Sequence, residues 1–101
     1  MESEVTIEGH ACRRIFEELG VTNVKLTPKG RIGYPDRLFW VRGGRPTLIE
    51  FKKVGEKLKP FQKKIHADLR KLGYNVYWTD NVQEAFDIVK NDLFKAIHER
   101  I

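Results

Sequence analysis

The sequence predicts an α/β fold in which helices flank a mixed four-stranded sheet, in the order α-β-β-β-α-β-α. Apolar residues recur at helical spacing in three segments. Between these segments lie short runs rich in β-branched and aromatic residues, bounded by glycine and proline. A strand, a helix and a further strand then follow one another, as in a parallel β-α-β crossover. The length of 101 residues predicts one domain over residues 1–101.

The first helix is expected from about Glu4 to Leu19. Ile7, Ala11 and Ile15 recur at four-residue steps along it, so they form one apolar side that can pack on a sheet. Gly20 follows directly and is a suitable C-terminal stop, because glycine adopts the left-handed conformation that ends many helices.

Three strands are predicted next. Residues 21–26 are apolar, β-branched and alternating, a pattern typical of a strand. Residues 27–34 contain proline and glycine and are expected to form a loop. Residues 36–41 and 46–52 read as a hairpin whose connection contains Gly43 and Gly44.

The second half of the chain predicts a helix, a strand and a helix. Pro60 fits the first turn of the second helix, which is expected to end near Gly73. Its apolar side comprises Phe61, Ile65, Leu69 and Leu72. Residues 74–78 form the fourth strand, and Asn81 with Glu84 has the chemistry of a capping box that opens the third helix.

Charge is distributed unevenly along the chain. The net charge is +5, but residues 29–71 carry 13 Lys/Arg against 4 Asp/Glu. One positive face would attract a phosphate backbone, and a solvated lysine-rich surface is the alternative. No segment approaches the roughly 20 apolar residues of a membrane helix, and the acidic N-terminus lacks a signal-peptide core. We therefore expect no membrane partner and a cytoplasmic location in a bacterial or phage-infected cell.

Several site classes are excluded by the residue inventory. The single cysteine, Cys12, excludes an internal disulfide and a Cys-rich zinc site. No phosphate-binding Gly-Lys-Ser/Thr loop is present, so no nucleotide cofactor is expected. His10, His66 and His98 lack ligand spacing and are expected to be surface residues.

The residues best suited to chemistry are Asp36, Glu50 and Lys52. Glu50 and Lys52 lie two apart on a predicted strand and therefore project from one face. Two carboxylates and a lysine can hold a divalent metal beside a phosphodiester and position a water. The alternative is that Glu50 and Lys52 lie in solvent or in a plain salt bridge near the strand end.

The hairpin connection decides whether Asp36 can join them. A two-residue turn at Gly43-Gly44 would set Asp36 opposite Phe51, on the wrong face. A loop of three or five residues, or a bulge, would bring Asp36 opposite or diagonal to Glu50. We therefore expect an odd loop or a bulge.

Three segments closely resemble the virus-type replication-repair nucleases, the VRR-NUC family of the PD-(D/E)xK superfamily. They are Gly33-Tyr34-Pro35-Asp36-Arg37-Leu38-Phe39, Ile49-Glu50-Phe51-Lys52 and Lys59-Pro60-Phe61-Gln62. The resemblance spans most of the chain and implies a restriction-endonuclease-like core. It also implies catalysis by Mg²⁺ or Mn²⁺, for which carboxylate oxygens are suitable ligands.

The resemblance implies roles for particular residues. Asp36 and Glu50 would be metal ligands, with the backbone carbonyl of Phe51 as an additional one. Lys52 would contact the scissile phosphate or orient the attacking water, and Gln62 would orient a water or phosphate. A glutamate of the first helix would complete the site; Glu8 is our choice, and Glu4, one turn earlier, is its rival. The candidates for contacting DNA backbone are Lys29, Arg31, Arg37, Lys53, Lys57, Lys59, Lys63 and Lys64.

Stand-alone members of this family resemble Holliday-junction resolvases and act as homodimers. The resemblance therefore implies a structure-selective endonuclease of the phage type that cuts branched DNA. The third helix, with Ile88, Leu93, Phe94 and Ile97, either supplies the dimer surface or packs inward. The alternatives are a non-catalytic DNA-binding module with this fold, an exonuclease or a flap nuclease. A restriction-like enzyme and a small basic protein with acidic partners are further alternatives.

Overall fold

The computed structural model describes residues 3–26 and 33–99, and it confirms the expected α/β fold and order of elements. The helices and strands are α1 (Glu4–Leu19), β1 (Asn23–Lys25), β2 (Arg37–Phe39), β3 (Thr47–Phe51), α2 (Pro60–Lys71), β4 (Asn75–Thr79) and α3 (Val82–Glu99). β1, β2 and β3 are each shorter than predicted, although Asp36 and Lys52, just outside β2 and β3, still make backbone hydrogen bonds to neighbouring strands. None of the helices in the described residues has the length and apolar content needed to span a membrane.

The four strands lie in the order β1-β2-β3-β4. The β1–β2 and β2–β3 pairs are antiparallel, and β3 pairs with β4 in parallel, as the crossover through α2 predicted. Parallel pairing places the C-terminal ends of β3 and β4 at one edge of the sheet. Glu50 lies across from Trp78 there, and Phe51 lies across from Thr79.

The core lies between the sheet and the pair α1–α3. Ile7, Ala11 and Ile15 of α1 are fully buried with Ile49 and Phe51 of β3. Because side chains alternate along a strand, Glu50 faces the opposite side of the sheet, which α2 covers. β3 is buried at all five positions, so the sheet holds a glutamate where most strands would place an apolar residue.

The predicted helix caps are confirmed, but the predicted buried side of α2 is not. The N–H of Gly20, which ends α1, donates to the Phe16 carbonyl at 3.0 Å, and the Asn81 side chain accepts from the Glu84 N–H at 2.8 Å. In α2, however, the predicted apolar side is wrong in part: Ile65 and Leu69 are half-buried, but Phe61 and Leu72 are exposed. The buried residues of this helix are Gln62 and His66. This helix therefore turns polar side chains toward Glu50.

Candidate active site

The β2–β3 hairpin brings Asp36 beside Glu50. Arg37 lies across from Ile49, and this register, continued by one residue, places Asp36 across from Glu50. Seven residues connect Phe39 to Thr47, so the expected odd connection is confirmed, although it is longer than three or five.

The backbone of β3 holds Asp36 in place. The Asp36 N–H donates to the Ile49 carbonyl at 3.0 Å, and its carboxylate accepts from the Phe51 N–H at 2.7 Å. These two bonds are made on either side of Glu50 in the sequence. The Asp36 carboxylate is therefore fixed against the Glu50–Phe51 peptide rather than directed freely into solvent.

The Asp36 carboxyl lies among other carboxylates. The pKa of Asp36 is raised from 3.8 to about 7, chiefly by burial and against the opposing effect of the Phe51 N–H bond. The negative charges of Glu50, Glu8 and Glu4, in that order of size, contribute to the same upward shift. Three other carboxylates therefore lie close enough to Asp36 to raise its pKa, and a cation bound at Asp36 would offset this repulsion.

Glu50 is 5% exposed, and its Oε1 atom makes no hydrogen bond within the described part of the chain. The Nε2 atom of His66 lies 3.7 Å from Oε1, which is longer than a hydrogen bond. The expectation that His66 is a surface residue is wrong, since its ring is fully buried on α2. Glu50 is neither in solvent nor in a plain surface salt bridge.

Lys52 follows β3 directly and is 5% exposed. Its N–H donates to the Thr79 carbonyl at 2.9 Å, so the parallel pairing with β4 sets the position of its backbone. Its ammonium lies 3.5 Å from the Oε1 atom of Glu56, in the loop that leads to α2. Lys52 therefore pairs with an acid outside the predicted set of ligands.

Glu8 is buried on α1 and carries two cationic partners. Its Oε2 atom accepts from Lys25 at 3.1 Å and from Arg37 at 2.5 Å, and Arg37 also donates to Asn23 at 2.9 Å. Glu8 thus ties α1 to β1 and β2 beside Asp36. The guanidinium of Arg37, predicted to contact DNA, is held in this internal ion pair.

Gln62 is buried in the first turn of α2, and its Oε1 atom accepts from the Lys59 N–H at 2.9 Å. This bond caps the helix, so the oxygen predicted to orient a water or phosphate has a structural partner. Gln62 and His66 lie four residues apart on one helix face, and both point to the sheet.

Most of the predicted DNA-contacting lysines are exposed around this site: Lys53, Lys57, Lys59, Lys63 and Lys64. Lys53 lies 3.8 Å from Glu56, and Lys64 pairs with Asp68. Lys29 and Arg31 lie outside the described residues. The exposed ammonium groups form a basic rim that leads from the β3–α2 loop along the start of α2.

The donor set suits a hard divalent cation. Asp36 and Glu50 supply carboxylate oxygens, and the buried Glu50 carboxylate makes no protein hydrogen bond through Oε1 within the described residues. Across residues 3–26 and 33–99, no three acidic, imidazole or thiol groups are already arranged as a chelating cluster. Asp36 accepts from the Phe51 N–H through Oδ2, and Glu8 accepts from Lys25 and Arg37 through Oε2.

Three features of the site were not anticipated from the sequence. His66 could have been found from its spacing, because it lies one turn after Gln62 on a helix that begins beside the site. The pairing of Lys52 with Glu56 follows from the path of an irregular loop, which no periodicity encodes. The contact among Glu8, Lys25 and Arg37 joins α1, β1 and β2, and no local sequence pattern encodes such a contact between distant segments.

The chain is similar to nucleases over most of its length. It is 36% identical over 78 residues to "Putative nuclease p44" of Acyrthosiphon pisum secondary endosymbiont phage 1, a match covering 77% of this chain and 83% of that protein. Its structure matches a solved structure named "VRR_NUC domain" with a TM-score of 0.73 and 31% identity, over 86% of this chain and 94% of the other. No family model matches the chain.

Proposed function

This chain belongs to the VRR-NUC family of nucleases, and we propose that it is a divalent-metal-dependent endonuclease that hydrolyses phosphodiester bonds in branched DNA. The observation that carries the proposal is that Asp36 lies beside Glu50 at the edge of a basic surface. Lys52 follows Glu50 by two residues. A buried strand rarely tolerates two charged residues unless they are paired or serve a site.

Asp36 and Glu50 are proposed to hold Mg²⁺ or Mn²⁺, with the Phe51 carbonyl as a further ligand. The bound cation would offset charge on the phosphate oxygens and make water a better nucleophile at neutral pH. Lys52 would exchange its contact with Glu56 for the scissile phosphate. Glu8 serves as a positioning residue in this scheme, because it anchors Arg37 and α1 beside Asp36.

The surrounding basic residues would bind the DNA backbone. The exposed lysines of the β3–α2 loop and the first turns of α2 are suited to phosphate contacts, and such backbone contacts position a duplex without specifying sequence. Selection by DNA structure therefore fits this surface better than selection by sequence. A cytoplasmic location is part of the same proposal, because that compartment holds the DNA substrate.

A homodimer would present two such sites to a four-way junction. On α3, Ala85, Phe86 and Val89 pack into the core, whereas Phe94 and Ile97 are 50% and 42% exposed. The exposed pair supports α3 as the contact between copies. Light scattering of the purified chain should give a dimer mass, and Phe94→Ser with Ile97→Ser should give a monomer; a monomeric parent chain would refute this part.

The experiment that tests the activity is a cleavage panel. Four-way junction, flap and linear duplex DNA are incubated with Mg²⁺, with Mn²⁺ or with EDTA. We expect cleavage of branched substrates only with metal, and loss of more than about 100-fold in Glu50→Gln and Lys52→Ala. The exposed residues Glu17 and Lys71 provide matched controls, and Glu17→Gln and Lys71→Ala should cut like the parent chain.

Each alternative has its own result in that panel. A DNA-binding module would retard the junction in gels and cut in no lane. An exonuclease would shorten linear duplex from its ends, and a flap nuclease would cut flaps and spare the junction. Cleavage that persists in EDTA, or in both site variants, would remove the assignment of Asp36, Glu50 and Lys52.

A further inference from the structure

His66 is the most unusual buried side chain of the described residues. Its ring is fully buried, and neither Nδ1 nor Nε2 has a hydrogen-bond partner in that part of the chain. An unsatisfied buried polar group costs about 1–3 kcal/mol, so an apolar residue would pack there at lower cost. Packing alone therefore does not account for a histidine at this position.

A carboxylate oxygen close to the His66 ring is also unpartnered within the described residues. Nε2 lies 3.7 Å from Oε1 of Glu50, and Oε1 is the other buried orphan atom of the site. A shift of about 0.8 Å would bring the two atoms to an ordinary hydrogen-bond length of about 2.9 Å. Small rotations of the two side chains suffice for such a movement.

We propose that His66 is a positioning residue that donates its Nε2–H to Oε1 of Glu50 and thereby directs the second carboxylate oxygen toward Asp36. The proposal rests on the proposed function, in which Glu50 is a metal ligand. Carboxylates that hold metals are commonly fixed by hydrogen bonds from a surrounding layer of side chains, and losing such a partner typically costs 10–100-fold in affinity.

The alternative, in which His66 itself ligates the ion, fits the structure less well. A histidine that binds a metal through one ring nitrogen almost always donates the other N–H to a carboxylate, carbonyl or water. Nδ1 of His66 has no such acceptor in the described residues. Gln62, its neighbour one turn earlier, already accepts from the Lys59 N–H. With the proton on Nε2, Nδ1 remains a lone acceptor, and no donor is left buried without a partner.

Mn²⁺ binding in the absence of DNA tests the proposal. Calorimetry is carried out on the parent chain, on His66→Leu, which fills the space without a donor, and on His66→Gln, whose amide N–H can replace Nε2–H. We expect His66→Leu to bind Mn²⁺ about 10–100-fold more weakly, and His66→Gln to stay within about threefold of the parent. Equal affinity in all three proteins would overturn the proposal, as would equal loss in both variants.

A second measurement decides the proposal without metal. Long-range ¹H–¹⁵N spectra of the metal-free chain report which ring nitrogen carries the proton, and His66→Gln identifies the His66 signals by their loss. We expect Nε2 to carry a proton; a ring that carries its proton on Nδ1 alone would overturn the proposal. If the parent chain binds no Mn²⁺, the proposed function fails, while this spectrum still decides whether His66 donates to Glu50.

Discussion

Asp36→Asn should stabilise the metal-free protein at alkaline pH while removing its nuclease activity. The substitution keeps the side-chain oxygen that accepts from the Phe51 N–H, so the geometry of the hairpin is retained. It removes one negative charge from a half-buried position beside Glu50, Glu8 and Glu4. The site is therefore expected to hold Asp36 at a cost to stability that a metal ion offsets.

The magnitude follows from the pKa of Asp36, which burial and neighbouring carboxylates raise from 3.8 to about 7. The folded protein holds this proton more tightly than the unfolded chain does. The proton bound to Asp36 therefore stabilises the folded protein fully below pH 3.8. This stabilisation is lost as the pH rises through about 7. The full shift of the Asp36 pKa, from 3.8 to about 7, corresponds to about 4 kcal/mol in the free energy of unfolding. Solvent around this half-buried group reduces the expected cost to about 2 kcal/mol.

The assay is urea unfolding in EDTA at pH 5 and pH 8. The free energy of unfolding of Asp36→Asn should exceed that of the parent by about 2 kcal/mol at pH 8, and by less at pH 5. Titrations of other groups largely cancel in this comparison. Asp68→Asn, an exposed control, should differ by less than about 0.5 kcal/mol at both values.

The reasoning is refuted if Asp36→Asn is no more stable than the parent at pH 8, or if its advantage grows toward pH 5. Added Mg²⁺ should reverse the order, because a ligand stabilises only the folded state that binds it. The parent should gain stability with Mg²⁺ at pH 8, and Asp36→Asn should gain much less.

Three other substitutions separate the roles of neighbouring groups. Glu56→Gln releases Lys52 and removes a negative charge near the basic rim. Fluorescence anisotropy should therefore show tighter DNA binding, and this gain should fade with added salt. Weaker binding would contradict the pairing of Lys52 with Glu56. Arg37→Gln leaves buried Glu8 with fewer donors and should cost about 1–3 kcal/mol in urea unfolding; no loss would contradict the ion pair. Asp92→Asn weakens the hydrogen bonds that Asp92 accepts from the hydroxyls of Thr47 and Tyr77. It should lower the free energy of unfolding by about 1–2 kcal/mol without changing Mn²⁺ affinity. A changed affinity would contradict the separation of this region from the metal site.

The fold was predictable because its signals are local. The stripe of Ile7, Ala11 and Ile15 defines α1 together with the face that it buries, and Gly20 ends it. The parallel pairing of β3 and β4 followed from the helix between them. Strand ends were less predictable, since hydrogen bonding to a neighbouring strand, rather than residue type, decides where a ladder stops.

The site was predictable only in part. Register arithmetic identified the odd hairpin connection that brings Asp36 to Glu50, since one residue of slip reverses the face. The rotation of α2 was not predictable from its apolar residues, because burial of Gln62 and His66 serves the polar group on β3 rather than the core. The partners of Glu8 and Lys52 depend on contacts between distant segments and on an irregular loop.

Anomalous diffraction from crystals grown with Mn²⁺ tests the central claim most directly. The account predicts an anomalous peak within bonding distance of one oxygen each from Asp36 and Glu50, and the loss of that peak in Glu50→Gln. A manganese site that excludes either carboxylate, or a peak that persists in Glu50→Gln, would contradict it.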